Sequence, residues 1–164
     1  MMQKLETERK RAIQDFYPED VGICYGCGPK NPDGLQLKTY WNGAEGICRF
    51  LPRPRDTAFP GYVYGGLIAN LIDCHSIGTA IAEAYQRGGR LPGSEPAITF
   101  VTGTLSIRYI EPTPMGVELL LKARIKEHHE KKSIVVCTVY AGEVACVVGE
   151  VIAVRAPWGQ AASE

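Results

Sequence analysis

Tyr64-Gly65-Gly66-Leu67-Ile68-Ala69-Asn70-Leu71-Ile72-Asp73 opens a helical period that runs on to about Arg87. Leu67, Ile68, Leu71, Ile72, His75, Thr79, Ala82 and Tyr85 recur along one side, a bulky stripe suited to a core. Gly66, Ala69, Asn70, Asp73, Ser76 and Ala80 fall along another. That side is small and polar, and suits close approach by a second backbone. Gly88-Gly89 ends the helix. The glycine pair leaves bare amides at the helix start, a ready site for developing negative charge. Asp73 lies about two turns further in. An ionised carboxylate among Leu and Ile costs several kcal/mol unless something compensates. An anion site and a candidate general base on one helix point to chemistry at a carbonyl. The competing reading of Asp73 is a buried cap or an interface salt bridge.

With 164 residues the chain is expected to form one domain with a sizeable core. Apolar residues make up 45% and charged residues 22%, an ordinary globular composition. Eighteen basic residues balance eighteen acidic ones. This balance argues against nucleic acid or an anionic membrane as partner, because either needs a basic surplus on one face. No apolar run reaches the roughly 18 residues of a membrane span. The charged stretch Met1 to Asp15 lacks the apolar segment of a secretory signal. A cytoplasmic location is therefore expected, with all six cysteines (24, 27, 48, 74, 137 and 146) as reduced thiols.

Outward from the helix, residues 3 to 15 read as a polar helix, within an N-terminal arm of residues 1–16. Residues 17 to 34 are dense in Gly and Pro and read as a loop. Leu35 to Trp41 alternates as a strand, Asn42-Gly43 suits a hairpin turn, and Gly46 to Leu51 returns. Residues 52 to 61 form a second loop. After the helix come strand-like runs at Ile98–Tyr109, Val117–Lys126, Ser133–Tyr140 and Glu143–Val154. Short connections between them imply an antiparallel meander. One long helix beside one antiparallel sheet is an α+β arrangement, over residues 17–157. Residues 158–164 are expected to be a disordered tail. The helix looks apolar on more than one side, so part of it, or an edge of the sheet, should be covered by another subunit.

Cys24-x-x-Cys27 invites a zinc or redox reading, but zinc takes four ligands and no second close Cys/His pair lies at suitable spacing. The bland reading is a tight Gly-rich turn with two small thiols. Cys74 and His75 are helix neighbours pointing about 100° apart, which disfavours a Cys–His nucleophile and leaves His75 as a packed core histidine. No metal and no cofactor are expected.

Four segments carry a family resemblance: Cys24-Tyr25-Gly26-Cys27-Gly28 with Asn31-Pro32-Asp33-Gly34-Leu35; Pro60-Gly61-Tyr62-Val63-Tyr64-Gly65-Gly66 leading to Asp73; Ser106-Ile107-Arg108-Tyr109-Ile110-Glu111-Pro112-Thr113-Pro114; and the strands to Val154. The chain resembles the hotdog-fold thioesterases, specifically the PaaI-like branch, over roughly residues 22 to 155. The resemblance implies a curved antiparallel sheet of five to six strands wrapped round one central helix. It implies a homodimer or a dimer of dimers, and hydrolysis of acyl-coenzyme A thioesters, with coenzyme A present only as part of the substrate. In the family the amide of the second glycine holds the thioester oxygen, the helix carboxylate activates water or attacks directly, and a Ser or Thr on the neighbouring subunit often assists. These become Gly66, Asp73 and Thr102. The resemblance alone singles out Thr102, since Thr99 and Thr104 are equally good strand residues. Tyr64 stands where the family usually carries His, and Ala58 where some members carry Asn.

Gly66 and Asp73 share a helix face but stand roughly 10 Å apart along its axis. A carbonyl carbon needs the amide and the attacking water each within about 3 Å. Two antiparallel copies of the helix satisfy this, the glycine end of one meeting the Asp of the other. The expected site lies at a dimer interface, with Tyr64, Gly65 and Asn70 binding substrate. Asn70 and Thr102 are placed to position the water. A non-catalytic acyl-ligand binding protein is the alternative, favoured by Tyr64. Dehydratases of this fold carry a catalytic His ahead of the helix, and nothing here matches them.

Overall fold

The computed structural model describes residues 11–156. One helix, α1 (Gly65–Arg87), lies across six strands: β1 (Tyr40–Trp41), β2 (Gly46–Phe50), β3 (Phe100–Tyr109), β4 (Leu119–His128), β5 (Lys132–Ala141) and β6 (Val144–Arg155). They form a single sheet in the order β1-β2-β4-β5-β6-β3, antiparallel at every pairing. Period-two alternation sends Leu119, Leu121 and Ala123, then Val135, Cys137 and Val139, then Val147, Val151 and Ala153 to one buried face. Against them pack Ile68, Leu71 and Ile72 of α1, all fully buried. Each contributes about 2 kcal/mol by leaving water. Gly149 of β6 lets the helix close in: a Cβ there would stand 2.5 Å from Ile72 Cγ2.

The bulky stripe predicted for α1 is buried along its whole length. The small side divides. Gly66, Ala69, Asn70 and Asp73 remain at least partly open, whereas Ser76 and Ala80 are fully buried. Ala80 therefore belongs to this chain's own core, not to a surface facing a second copy. Much of the helix side away from the sheet is covered by this chain itself. Ile13, Cys27, Leu35 and Leu37, from the segment ahead of β1, join the core cluster and cover much of that side.

That segment departs from its sequence reading in two ways. Most of the polar arm lies outside the described residues. Its described end is a single 3-10 turn, Ile13–Phe16, with Ala12, Ile13 and Gln14 buried, so this part is packed and not a solvated arm. The strand read over Leu35–Trp41 is hydrogen-bonded as a ladder only at its last two residues. Leu35, Leu37 and Thr39 are buried on α1, and Gln14 takes the Thr39 N–H at 2.8 Å. The strand read from Ile98 starts two residues later, at Phe100. The expected tail, residues 158–164, lies outside the described residues.

His75 is the packed core histidine the spacing predicts. Nε2 lies 3.1 Å from the Gly46 carbonyl and Nδ1 2.9 Å from Thr39 Oγ1. A carbonyl only accepts, so Nε2 carries the proton and Nδ1 accepts from the threonine. Burial pulls the imidazole pKa down to about 4, opposed by the hydrogen bond to Gly46.

Candidate active site

The chain enters α1 from a loop held by Asp56. Its carboxylate accepts the Arg53 backbone N–H at 2.8 Å and the guanidinium at 3.0 and 2.9 Å. Its carbonyl accepts the Tyr64 N–H at 2.8 Å. Arg53 holds the carboxyl of Asp56 below the usual carboxylate range. Tyr64 is the N-cap, and its carbonyl takes the Leu67 and Ile68 amides at 3.1 and 3.3 Å. Its side chain makes no cap hydrogen bond. The amides of Gly65 and Gly66 thus keep no hydrogen-bond partner among the described residues, as the first turn of a helix dictates.

Two phenols enclose this end. The ring of Tyr64 lies where a Cβ on Gly66 would stand, 2.5 Å from Cε1 and 2.7 Å from the hydroxyl. The Tyr109 hydroxyl donates to the Gly65 carbonyl at 2.7 Å. Burial, and then the neighbouring Tyr64, push the Tyr109 phenol up. A cleft of about 440 Å³ opens here, lined by Tyr25, Arg53, Arg55, Asp56, Tyr64, Gly66, Leu67 and Asn70. A second cavity of about 420 Å³ lies at the far end of α1, among Ile13, Phe16, Trp41, Ala82 and Leu91, remote from Asp73.

Asp73 is half-buried on the open stripe of α1, and the Thr102 hydroxyl donates to its Oδ1. Burial raises the carboxyl pKa, the Thr102 hydrogen bond opposes it, and the charge of Cys24 adds to the rise. Both residues belong to one chain. This differs from the family expectation of a Ser or Thr from the neighbouring subunit. A bulge explains why Thr102 qualifies and Thr104 does not. Phe100 and Thr102 face α1, Gly103 is the extra residue opposite β6, and the pairing resumes at Thr104. The extra residue resets the alternation of side chains along β3.

The structure therefore brings Asp73 to Thr102, and Gly66 to Tyr64, Gly65 and Asn70. It does not bring Gly66 to Asp73 within one chain, because a single helix holds them apart. Sequence reading missed Tyr25, Arg53, Arg55 and Tyr109 at the glycine end. The signal available was Arg53-Pro54-Arg55-Asp56, three positively and negatively charged side chains just ahead of the glycine pair. It also missed that Cys74 faces Cys24, at 3.8 Å between sulfurs.

The Thioesterase superfamily model matches residues 60–148, more than half of the chain. A crystal structure of a thioesterase superfamily protein from Shewanella loihica is 42% identical, covers 88% of this chain and 99% of its own, and superposes with a TM-score of 0.64. An acyl-coenzyme A thioesterase (THEM4) of Xenopus laevis is 26% identical over 108 residues, 65% of this chain. The match spans 43% of that relative, less than half of its length. A Streptococcus mutans protein crystallised with acetyl-CoA shares the fold at a TM-score of 0.60 and 17% identity, over 74% of this chain and 89% of its own. A long helix on a six-stranded antiparallel sheet, matched over more than half its length, makes this chain a member of the thioesterase superfamily with the hotdog fold.

Proposed function

We propose that the protein hydrolyses an acyl-coenzyme A thioester to the free acid and coenzyme A, at a site shared by two chains, in the manner of the PaaI-like branch. The observation that carries this reading is the hydrogen bond from Thr102 to Asp73 on the open stripe of the same helix that presents the bare Gly66 amide. Thr102 occupies one carboxylate oxygen and leaves Oδ2 to accept a proton from water. The Gly66 N–H of the second chain, helped by the positive end of α1, holds the thioester oxygen as it becomes anionic. Asp73 acts as general base, or attacks directly to give an acyl anhydride that water then opens. No step needs a metal. Tyr64, Gly65 and Asn70 line the approach, and Arg55, free of hydrogen bonds and salt bridges among the described residues, offers charge for the coenzyme's phosphates. The exposed edge strand β3, with Val101, Leu105 and Tyr109 partly in solvent, supplies a surface for the second copy. A cytoplasmic location, with reduced thiols, belongs to the same proposal.

Thr102→Val keeps the shape and removes the hydroxyl. The expected result is a kcat about tenfold lower at similar KM, as fits loss of one hydrogen bond to a reacting carboxylate. Thr102→Ser restores most of it. Steady-state thiol release checks both.

Non-catalytic acyl binding is the second reading, favoured by the Tyr64 ring lying against Gly66 where a carbonyl would approach. Thiol release from a panel of short, long and aromatic acyl-CoAs separates the two. Turnover on any member supports hydrolysis; tight binding with no turnover on all supports the alternative.

A further inference from the structure

We propose that Cys24, Cys27 and Cys74 form a zinc(II) site that clamps the loop of residues 22–34 to α1. Their three sulfurs lie within 4.8 Å of one another, and all three thiols are free. The Cys24 and Cys74 sulfurs are 3.8 Å apart. Thiolates at about 2.3 Å around a tetrahedral zinc stand about 3.8 Å from each other. The third ligand comes from a residue 47 positions beyond Cys27, which is why spacing along the chain hides it.

The loop is built around the sulfurs. The Gly28 N–H returns to the Cys24 carbonyl at 2.8 Å. Gly26 has no room for a side chain: a Cβ would fall 2.3 Å from Cys74 Sγ and 2.4 Å from Asn70 Oδ1. Gly28 is as tight, 2.4 Å from the Gly22 carbonyl oxygen. Leu35 and Leu37 fasten the loop through the Tyr25 and Gly26 carbonyls, at 2.8 and 3.0 Å. Tyr17 hydrogen-bonds Cys27 as an outer partner.

Three cysteine sulfurs suit zinc or copper(I), and the exposed side of Cys24 leaves room for a water to complete the four-coordinate geometry that zinc takes. The role assigned to the site is to fasten the loop, with three protein ligands in place of the four of a closed structural centre. The site fixes the loop one residue from Asp73 and takes no part in thioester cleavage, so it stands or falls independently of the proposed hydrolysis.

The test uses the full-length, tag-free chain, purified reduced and without chelator. Mass spectrometry of the metal content should give one zinc per chain. Cobalt(II) added to the zinc-free protein should give thiolate charge-transfer and tetrahedral d–d bands. Zinc should raise the melting temperature. Cys24→Ser alters an exposed residue, so it should fold, and should weaken zinc by more than the roughly 10- to 100-fold typical of losing an outer partner. Tyr17→Phe should fall within that range, and Cys146→Ala should keep the metal. Zinc binding unchanged in Cys24→Ser, or no zinc and no cobalt–thiolate bands in the reduced wild type, overturns the proposal.

Discussion

Asp73→Asn should lower kcat for acyl-CoA hydrolysis about a thousandfold, within the range that a positioned general base supplies. Asparagine has the same shape, and its amide oxygen still accepts from Thr102, but it cannot take a proton from water or attack as a carboxylate. Stability should hold or rise slightly, because a half-buried carboxylate raised in pKa by desolvation is replaced by a neutral group. Binding of the coenzyme portion is untouched, so KM should change little. Thiol release with a chromogenic reagent, alongside thermal unfolding, reads both quantities. A buried cap or interface salt bridge at Asp73 would give the opposite pattern: turnover kept and melting temperature lowered.

Acidification should destabilise the fold through His75. The folded imidazole has its pKa lowered to about 4 by burial, while an unfolded histidine titrates near its ordinary value of about 6.5. Below about 6.5 the unfolded chain binds a proton that the folded chain refuses. The stability contribution is therefore complete above that pH and is lost as pH falls toward 4. Its size is about 3 kcal/mol, from a difference of roughly 2.5 pKa units. Protonation also breaks the network, since a charged ring can no longer accept from Thr39 Oγ1, which in turn accepts from Gln14 Nε2 at 3.2 Å. His75→Gln keeps one donor for Gly46 and one acceptor for Thr39, but has no proton to gain. Denaturant unfolding between pH 7 and 4 should show wild type losing about 3 kcal/mol more than this variant. Parallel pH profiles would contradict the assignment.

The helix and the long strands were legible because their periods are strong. Gly65–Arg87 carries an uninterrupted 3.6-residue pattern closed by glycines, and β4 to β6 alternate over ten or more residues. Gly66 and Asp73 were legible from their types and spacing, and Thr102 through resemblance alone. What stayed hidden depends on contacts distant in sequence. The bulge at Gly103 aims Thr102 at Asp73, and nothing local distinguishes it from Thr104. Leu35–Thr39 alternates like a strand, yet its residues bury themselves on α1 instead of joining the ladder. Ser76 and Ala80 have the small size of an interface stripe, but the chain's own fold buries them completely. Cys74 meets Cys24 and Cys27 only once the loop folds back on the helix.

Mixing two crippled chains tests most directly whether amide and carboxylate come from different copies. Gly66→Ala places a Cβ 2.5 Å from the Tyr64 ring and should push the phenol across the amide, lowering turnover about 100-fold as for loss of an oxyanion donor. Differently tagged Gly66→Ala and Asp73→Asn chains are co-expressed and the doubly tagged dimer isolated. A two-fold dimer then holds one site with both groups intact and one with both broken, so it should show about half of wild-type activity. A mixed dimer as inactive as its two parents, or a wild-type chain that turns over as a monomer, would contradict the shared site.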